Sequence, residues 1–247
     1  MSVKKILVSQ ASPAGQPQYT DISKKFGVEI DFHPFYVIEP LSSREFRAQH
    51  INLPDYTAIV FSARHAIDAF FAICEDLRVK VPDTMKYFCT TEAVAVYLQK
   101  HIVFRKRKIF YGTGTPQSVV ALVTAKHKGE KFLIATSGSG QGEIMTKLFD
   151  EAHLDNTTGV FVKAVSQDLK TVDINGYDAL VMCNPADLKS LHENFPGLDL
   201  SKFRIITFGK QIVKALEDEG LEIALKAPTP EAPSVAKALE LFLSSQK

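Results

Sequence analysis

DYTAIVFSARHAIDAF (residues 55–70) is the stretch that decides the fold, because GYDALVMCNPADLKSL (residues 176–191) repeats its pattern. Tyr56 aligns with Tyr177, Ala58 with Ala179, Val60 with Val181 and Ile67 with Leu188, an offset of 121 residues. Each copy reads as a short apolar strand, a polar loop and a segment of helical period. A second echo follows each: YFCTTEAVAVYLQK (87–100) against IITFGKQIVKALED (205–218), where Thr91 aligns with Gly209 and Leu98 with Leu216 at an offset of 118. Two strand–loop–helix units in one order at nearly one offset imply two similar α/β domains. The expected place for function is the cleft between such domains.

Working outward, apolar runs alternate with helical-period segments along the whole chain. Strands are expected at 5–8, 28–36, 58–61, 87–89, 108–111, 131–135, 159–163, 179–182, 204–207 and 222–224. Helices are expected at 19–26 (stopped by Gly27), 43–50, 66–77, 92–100, 116–125, 143–152, 186–195, 211–219 and 233–243. Strict alternation of this kind predicts parallel sheets with helices on both faces. Pro34 and Pro40 extend one segment, and 163–175 is polar and weakly periodic. If both are crossings, domain A comprises 1–36 plus 166–247 and domain B is inserted as 37–165, with linkers near 35–40 and 163–167. A plain split near residue 127 is the alternative.

Composition narrows the function classes. The 247 residues carry a net charge of +1, 45% hydrophobic and 23% charged residues, an ordinary globular balance. That balance gives no general affinity for nucleic acid or membrane, and no run approaches the roughly 20 apolar residues of a membrane span. Cys74, Cys89 and Cys183 are odd in number and embedded in apolar runs, which reads as buried free thiols in a reducing compartment. The expected protein is soluble, cytoplasmic and monomeric.

In open parallel sheets ligands sit beyond the carboxyl ends of the strands. Those loops are 9–16, 62–65, 90–91, 112–115, 136–142, 183–185 and 209–210; they are rich in Gly, Ser and Thr and poor in acids, bases and nucleophiles. Free N–H groups at helix N-termini hold carboxylates or phosphates, while the same Ser and Thr residues also serve as helix caps. The candidate substrate-binding residues are Ser62, Arg64, His65, Thr91, Gly112, Thr113, Ser137, Gly138, Asn184, Pro185, Gly209 and Lys210. No single acid or base stands out. No histidine pair has metal-ligand spacing. Gly138, Gly140 and Gly142 form G-x-G-x-G instead of the dinucleotide G-x-G-x-x-G, and no acid ends the next strand, so neither metal nor nucleotide cofactor is expected. The basic run 105–108 reads either as a solvated rim or as an attractor of a polyanion.

The whole chain resembles the uroporphyrinogen-III synthase family, in a branch like that of the Bacteroidetes. The resemblance is carried by KKILVSQASP (4–13), FGVEIDFHPFYVIEPLS (26–42), YTAIVFSARHAIDAFF (56–71), EAVAVYLQKHIVFRKRKIFYG (92–112), SLHENFP (190–196), RIITFG (204–209) and KAPTPEAPSVAKALE (226–240). It implies two α/β domains joined by a two-stranded linker. It also implies cyclisation of hydroxymethylbilane, a linear tetrapyrrole with eight carboxylates, losing water and inverting ring D through an azafulvene cation and a spiro intermediate. No cofactor is implied, and the enzyme's task is to orient a reactive substrate. Transient contact with the upstream hydroxymethylbilane-producing enzyme is the one protein partner expected. Where the family has hydroxyls, this chain has Ala63, Val94, Val162, Ala186 and Ile212, with Asn184 a polar substitute; these are expected to face the ligand. Each missing hydroxyl removes a hydrogen bond worth roughly 0.5–1.5 kcal/mol. The alternative reading is therefore a catalytically silent relative that binds a tetrapyrrole or another polycarboxylate.

Overall fold

The computed structural model describes residues 3–15, 17–137 and 141–246, without the side chain of Gln141. In chain order the elements are β1 (Lys5–Val8), α1 (Pro17–Phe26), β2 (Glu29–Phe32), β3 (Tyr36–Pro40), α2 (Ser43–Arg47), β4 (Ala58–Phe61) and α3 (Arg64–Asp76). Then follow β5 (Lys86–Cys89), α4 (Glu92–Tyr97), β6 (Ile109–Tyr111), α5 (Pro116–Lys126), β7 (Phe132–Thr136), α6 (Gln141–Glu151) and β8 (Asn156–Val160). The chain closes with β9 (Val162–Ser166), β10 (Ala179–Met182), α7 (Pro185–Asn194), β11 (Arg204–Phe208), α8 (Lys210–Asp218), β12 (Leu225–Ala227) and α9 (Val235–Ser245).

Two compact units result. Met1–Val37 with Val165–Lys247 forms one, and Ile38–Ala164 the other. The first holds a parallel sheet in the order β12-β11-β10-β1-β2, the second a parallel sheet in the order β6-β5-β4-β7-β8, and β3 pairs with β9 in a two-stranded linker.

The period of two along each strand divides its side chains between two helix layers. In unit 1, Ile6, Val8, Ala179, Val181 and Ile206 pack with α1 and α9 residues such as Ile22, Leu239 and Phe242. The alternate residues Leu7, Leu180, Met182 and Ile205 pack with Leu188, Leu191, Ile212 and Leu216 of α7 and α8. Unit 2 repeats the scheme, with Ile59, Phe61, Tyr87, Cys89, Leu133 and Ala135 against α3 and α4, and Ala58, Val60, Phe88, Phe132 and Ile134 against α5 and α6. A strand buried on both faces must be apolar throughout, which is why these runs lack the hydrophobic–polar alternation of an exposed sheet.

Several element boundaries differ from expectation. The segment 28–36 is not one strand: β2 ends at Phe32 and β3 begins at Tyr36, across Pro34, which has no N–H for a ladder. The segment 159–163 breaks at Phe161, fully buried between β8 and β9. The last strand forms at Leu225–Ala227, not 222–224, because Ile206, Thr207 and Phe208 register with those residues. Gly27 does end α1: at φ +68° its N–H donates to the Ser23 carbonyl at 2.9 Å.

Candidate functional site

All strands of each sheet are parallel, so the loops leaving them gather at one edge. Chain order reverses between β10 and β1 in unit 1, and between β4 and β7 in unit 2; these are the switch points where such sheets open a crevice.

In unit 2 hydrogen bonds tie the loops after β4, β5 and β6 together. Thr90 Oγ1 donates to the Ser62 carbonyl at 3.3 Å, the Gly114 N–H donates to the Thr90 carbonyl at 2.8 Å, and the Gly112 N–H to the Cys89 carbonyl at 2.9 Å. Ser62, Arg64, His65, Thr91, Gly112, Thr113 and Ser137 therefore share one sheet edge; Gly138 lies outside the described residues. Arg64 opens α3, its guanidinium 5.5 Å from the centre of the Tyr97 ring. Desolvation holds the His65 imidazole below its ordinary pKa, against the pull of the Asp68 carboxylate. Thr91 caps α4, accepting from the Val94 N–H at 3.2 Å. The Thr113 N–H donates to Ser118 Oγ at 2.9 Å, and a Cβ at Gly112 would lie 2.2 Å from that oxygen, so a side chain there would displace the Ser118 hydroxyl from this bond. The basic residues 105–108 precede β6, at the edge opposite these loops.

In unit 1, Asn184, Pro185, Gly209 and Lys210 share the corresponding edge. Gly209 caps α8 at φ +151°, its N–H donating to the Ala227 carbonyl at 2.8 Å. A Cβ there would stand 3.0 Å from the Cys183 carbonyl oxygen. Asn184 caps α7 with Oδ1 on the Ala186 N–H at 3.0 Å, and Pro185 occupies the first helical position, where no N–H is needed.

The centre of this edge is a residue absent from the expected set. Asp187 is fully buried, and its Oδ2 accepts three hydrogen bonds: from Ser9 Oγ at 2.8 Å, the Cys183 N–H at 2.7 Å and the Asn184 N–H at 2.9 Å. Its Oδ1 has no hydrogen-bond partner among the described residues. Burial pushes this carboxyl up to about 6, against the lowering effect of those donors. Burial, with Asp187 beside it, drives the Cys183 thiol up to about 12. The half-buried Tyr36 phenol is raised by burial, then by Asp187 and Cys183. Tyr19, raised by burial and then Cys183, lines a neighbouring hollow of about 660 Å³ with Ser12, Pro13, Thr20 and Phe32. One sequence signal pointed to Asp187: N-x-x-D ahead of an apolar helix, the spacing of a capping box.

Three of the hydroxyl-lacking positions do not face a ligand. Val94 and Val162 pack in the core beneath α3, and Ile212 is buried under α8 against Leu7, Leu180 and Met182. Ala63, the N-cap of α3, and Ala186, in the first turn of α7, are half-buried. Cys183 is likewise only half-buried, whereas Cys74 and Cys89 are buried as expected. Among the described residues no group of three or more His, Cys, Asp or Glu is placed to hold a metal, and no helix is long and apolar enough to cross a membrane.

The family pattern described as uroporphyrinogen-III synthase HemD matches residues 18–237. A uroporphyrinogen-III synthetase from Helicobacter pylori shares the fold, with a TM-score of 0.58 and 15% identity over 98% of this chain and 99% of its own. A mutant uroporphyrinogen III synthase from the extremely thermophilic bacterium Thermus thermophilus does so with a TM-score of 0.54 and 13% identity over 99% of this chain and 100% of its own. No curated protein matches the sequence.

Proposed function

The chain belongs to the uroporphyrinogen-III synthase family, and from that premise we propose that it cyclises hydroxymethylbilane to uroporphyrinogen III with inversion of ring D and loss of water, in tetrapyrrole biosynthesis. The observation that carries this reading is the chemistry of the two sheet edges. They present helix N-termini, glycines and hydroxyls, and the buried acid among them, Asp187, is engaged by Ser9 and two backbone N–H groups. A substrate that ionises by losing its own hydroxyl needs its carboxylates held and its chain folded for attack at the correct carbon. Backbone N–H groups at helix starts do this.

The proposed contacts in unit 2 are Ser62, Arg64, His65, Thr91, Gly112, Thr113, Ser137 and Gly138, with the Arg64 guanidinium a fork that matches a carboxylate. Those in unit 1 are Gly209 and Lys210, because the Asn184 N–H is already held by Asp187 Oδ2 and Pro185 has no N–H to offer. The silent-relative reading rested on lost hydroxyls. Val94, Val162 and Ile212 sit in hydrophobic cores, where their aliphatic side chains remove no ligand contact, and this favours the enzyme. In this reading the protein works as a cytoplasmic monomer without cofactor and receives its labile substrate from the enzyme that makes it. The test is a coupled assay with freshly generated hydroxymethylbilane. The type III isomer is expected, and the type I isomer alone, which forms spontaneously, refutes the proposal.

A further inference from the structure

The repeated turns at the two switch points differ in one respect with consequences for which of them takes ligand. Ala63 and Asn184, the residues that start α3 and α7, have nearly the same backbone, φ −152° and ψ 154° against φ −146° and ψ 148°. The register fixes their neighbours: Val181 lies beside Val8 as Val60 lies beside Ile134. Ser9 therefore corresponds to Ala135, and Asp187 to Ala66. In unit 1 the N–H groups of Cys183 and Asn184 and the Ser9 hydroxyl converge on one point, filled by Asp187 Oδ2. In unit 2 the corresponding N–H groups of Ser62 and Ala63 have no acceptor among the described residues. Both Ala66 and Ala135 are buried methyl groups that supply none.

We propose that Asp187 is a built-in carboxylate that closes the anion-accepting turn of unit 1, so that of the two repeated turns only that of unit 2 takes a carboxylate from the substrate. This rests on the polycarboxylate reading above and deepens it, making Asp187 a specificity-determining residue that never touches the substrate. A second carboxylate does not enter the unit 1 turn: its donors are engaged, and the Asp187 charge repels it. The unit 2 turn offers, beside Arg64, two N–H groups without an acceptor among the described residues, the arrangement an incoming carboxylate completes. A capping role alone does not account for Asp187. An exposed acid satisfies a capping box, whereas this one is fully buried with Oδ1 unpartnered among the described residues, an arrangement that costs stability.

The experiment is a titration of the ¹⁵N-labelled full chain with uroporphyrin III, the oxidised octacarboxylate, followed through backbone amide shifts. In the wild type, the Ser62 and Ala63 amides are expected to shift and those of Cys183 and Asn184 to stay. In Asp187→Ala, the Cys183 and Asn184 amides are expected to shift too, with at least a tenfold gain in affinity at that turn. Asp187→Asn, which keeps an acceptor oxygen in place, is expected to leave the unit 1 turn closed, and it stands in if the alanine variant does not fold. The inference is overturned if Cys183 and Asn184 respond in the wild type as strongly as Ser62 and Ala63. It is equally overturned if they stay silent in a folded Asp187→Ala, or respond in Asp187→Asn. If Ser62 and Ala63 are silent while Asp187→Ala opens the unit 1 turn, Asp187 closes that turn as stated and the substrate-site reading fails instead.

Discussion

Replacing Asp187 by asparagine turns its burial into a measurable slope of stability against pH. The carboxyl is raised from the ordinary 3.8 to about 6 because the protein interior disfavours its charge. The folded state therefore binds a proton that the unfolded chain has released between those two values. Stability from this group is present in full below 3.8, falls as pH rises to about 6, and stays lost above it. At about 1.4 kcal/mol per pH unit the loss is on the order of 3 kcal/mol. Asp187→Asn keeps an oxygen for Ser9, Cys183 and Asn184 but places two amide N–H groups where Oδ1 found no partner, at a cost of about 1–3 kcal/mol. The two proteins should thus be about equally stable at pH 7 and diverge in favour of the wild type towards pH 4. Urea unfolding from pH 4 to 7, read on NMR signals of Ala179 and Ile206 in the unit 1 sheet, gives the difference directly. Carboxylates such as Glu45 and Glu240, both held near 2 by lysine partners, contribute alike to both proteins and cancel. A difference that stays constant within about 0.5 kcal/mol over this range refutes the buried-charge account.

Other outcomes are open to simpler measurements. Thr91→Ala removes the α4 cap and should lower stability by about 1 kcal/mol in urea unfolding; no change would show that the hydroxyl does not act as a cap in solution. Gly209→Ala forces a side chain into φ +151° with its Cβ 3.0 Å from the Cys183 carbonyl oxygen, and should cost about 1–2 kcal/mol while displacing the β11–α8 turn. An unshifted melting temperature rules that strain out. Arg64→Ala should raise KM for hydroxymethylbilane several-fold with little effect on the melting temperature, its ring contact being with the part-exposed Tyr97. An unchanged KM removes Arg64 from the site. The three thiols, each pushed up to about 12 by burial, should react slowly with Ellman's reagent at pH 8 in the native protein and fast in urea.

Much of the fold is legible because a parallel sheet covered on both faces writes itself as apolar runs such as AIVF and ALVM, separated by helical periods. The repeat then identifies which runs correspond. Breaks inside extended segments are less visible. Nothing in the composition of GVFVK says that Phe161 turns inward and splits the strand, since the choice depends on its packing against Phe46 and Phe70. The site was legible as a set of loops, because their positions follow from strand ends alone. Which side chains those loops expose was not. Val94, Val162 and Ile212 align with hydroxyl positions yet point into cores, a matter of helix rotation for Val94 and Ile212 and of strand facing for Val162 that spacing does not reveal. Nothing local marks Asp187 as special, because an acid in a helix's first turn ordinarily stays in solvent, and only the long-range Ser9 contact shows otherwise.

The order of the strands suggests why an acid was tolerated in unit 1 and not needed in unit 2. The sheets β12-β11-β10-β1-β2 and β6-β5-β4-β7-β8 are the same arrangement permuted, with β1 and β2 in the places of β7 and β8. Unit 2 is built from one continuous segment, so its switch-point strands are joined within Ile38–Ala164. Unit 1 brings β1 to β10 across the whole inserted unit, a longer loop to close. Side-chain contacts bridge that gap: Asp178 accepts from the N–H groups of Lys4 and Lys5 at one strand end, Ser9 donates to Asp187 at the other, and Lys25 pairs with Glu240 on the helices. If bridging were the whole purpose of Asp187, a neutral partner for Ser9 would serve it without placing a carboxylate in the interior or leaving Oδ1 unpaired. What the charge adds is a negative occupant for three converging donors. In the proposal above, the discontinuous unit gains a cross-chain tie and loses an anion site in the same residue, whereas the continuous unit has alanine at both positions and N–H donors that no described residue engages.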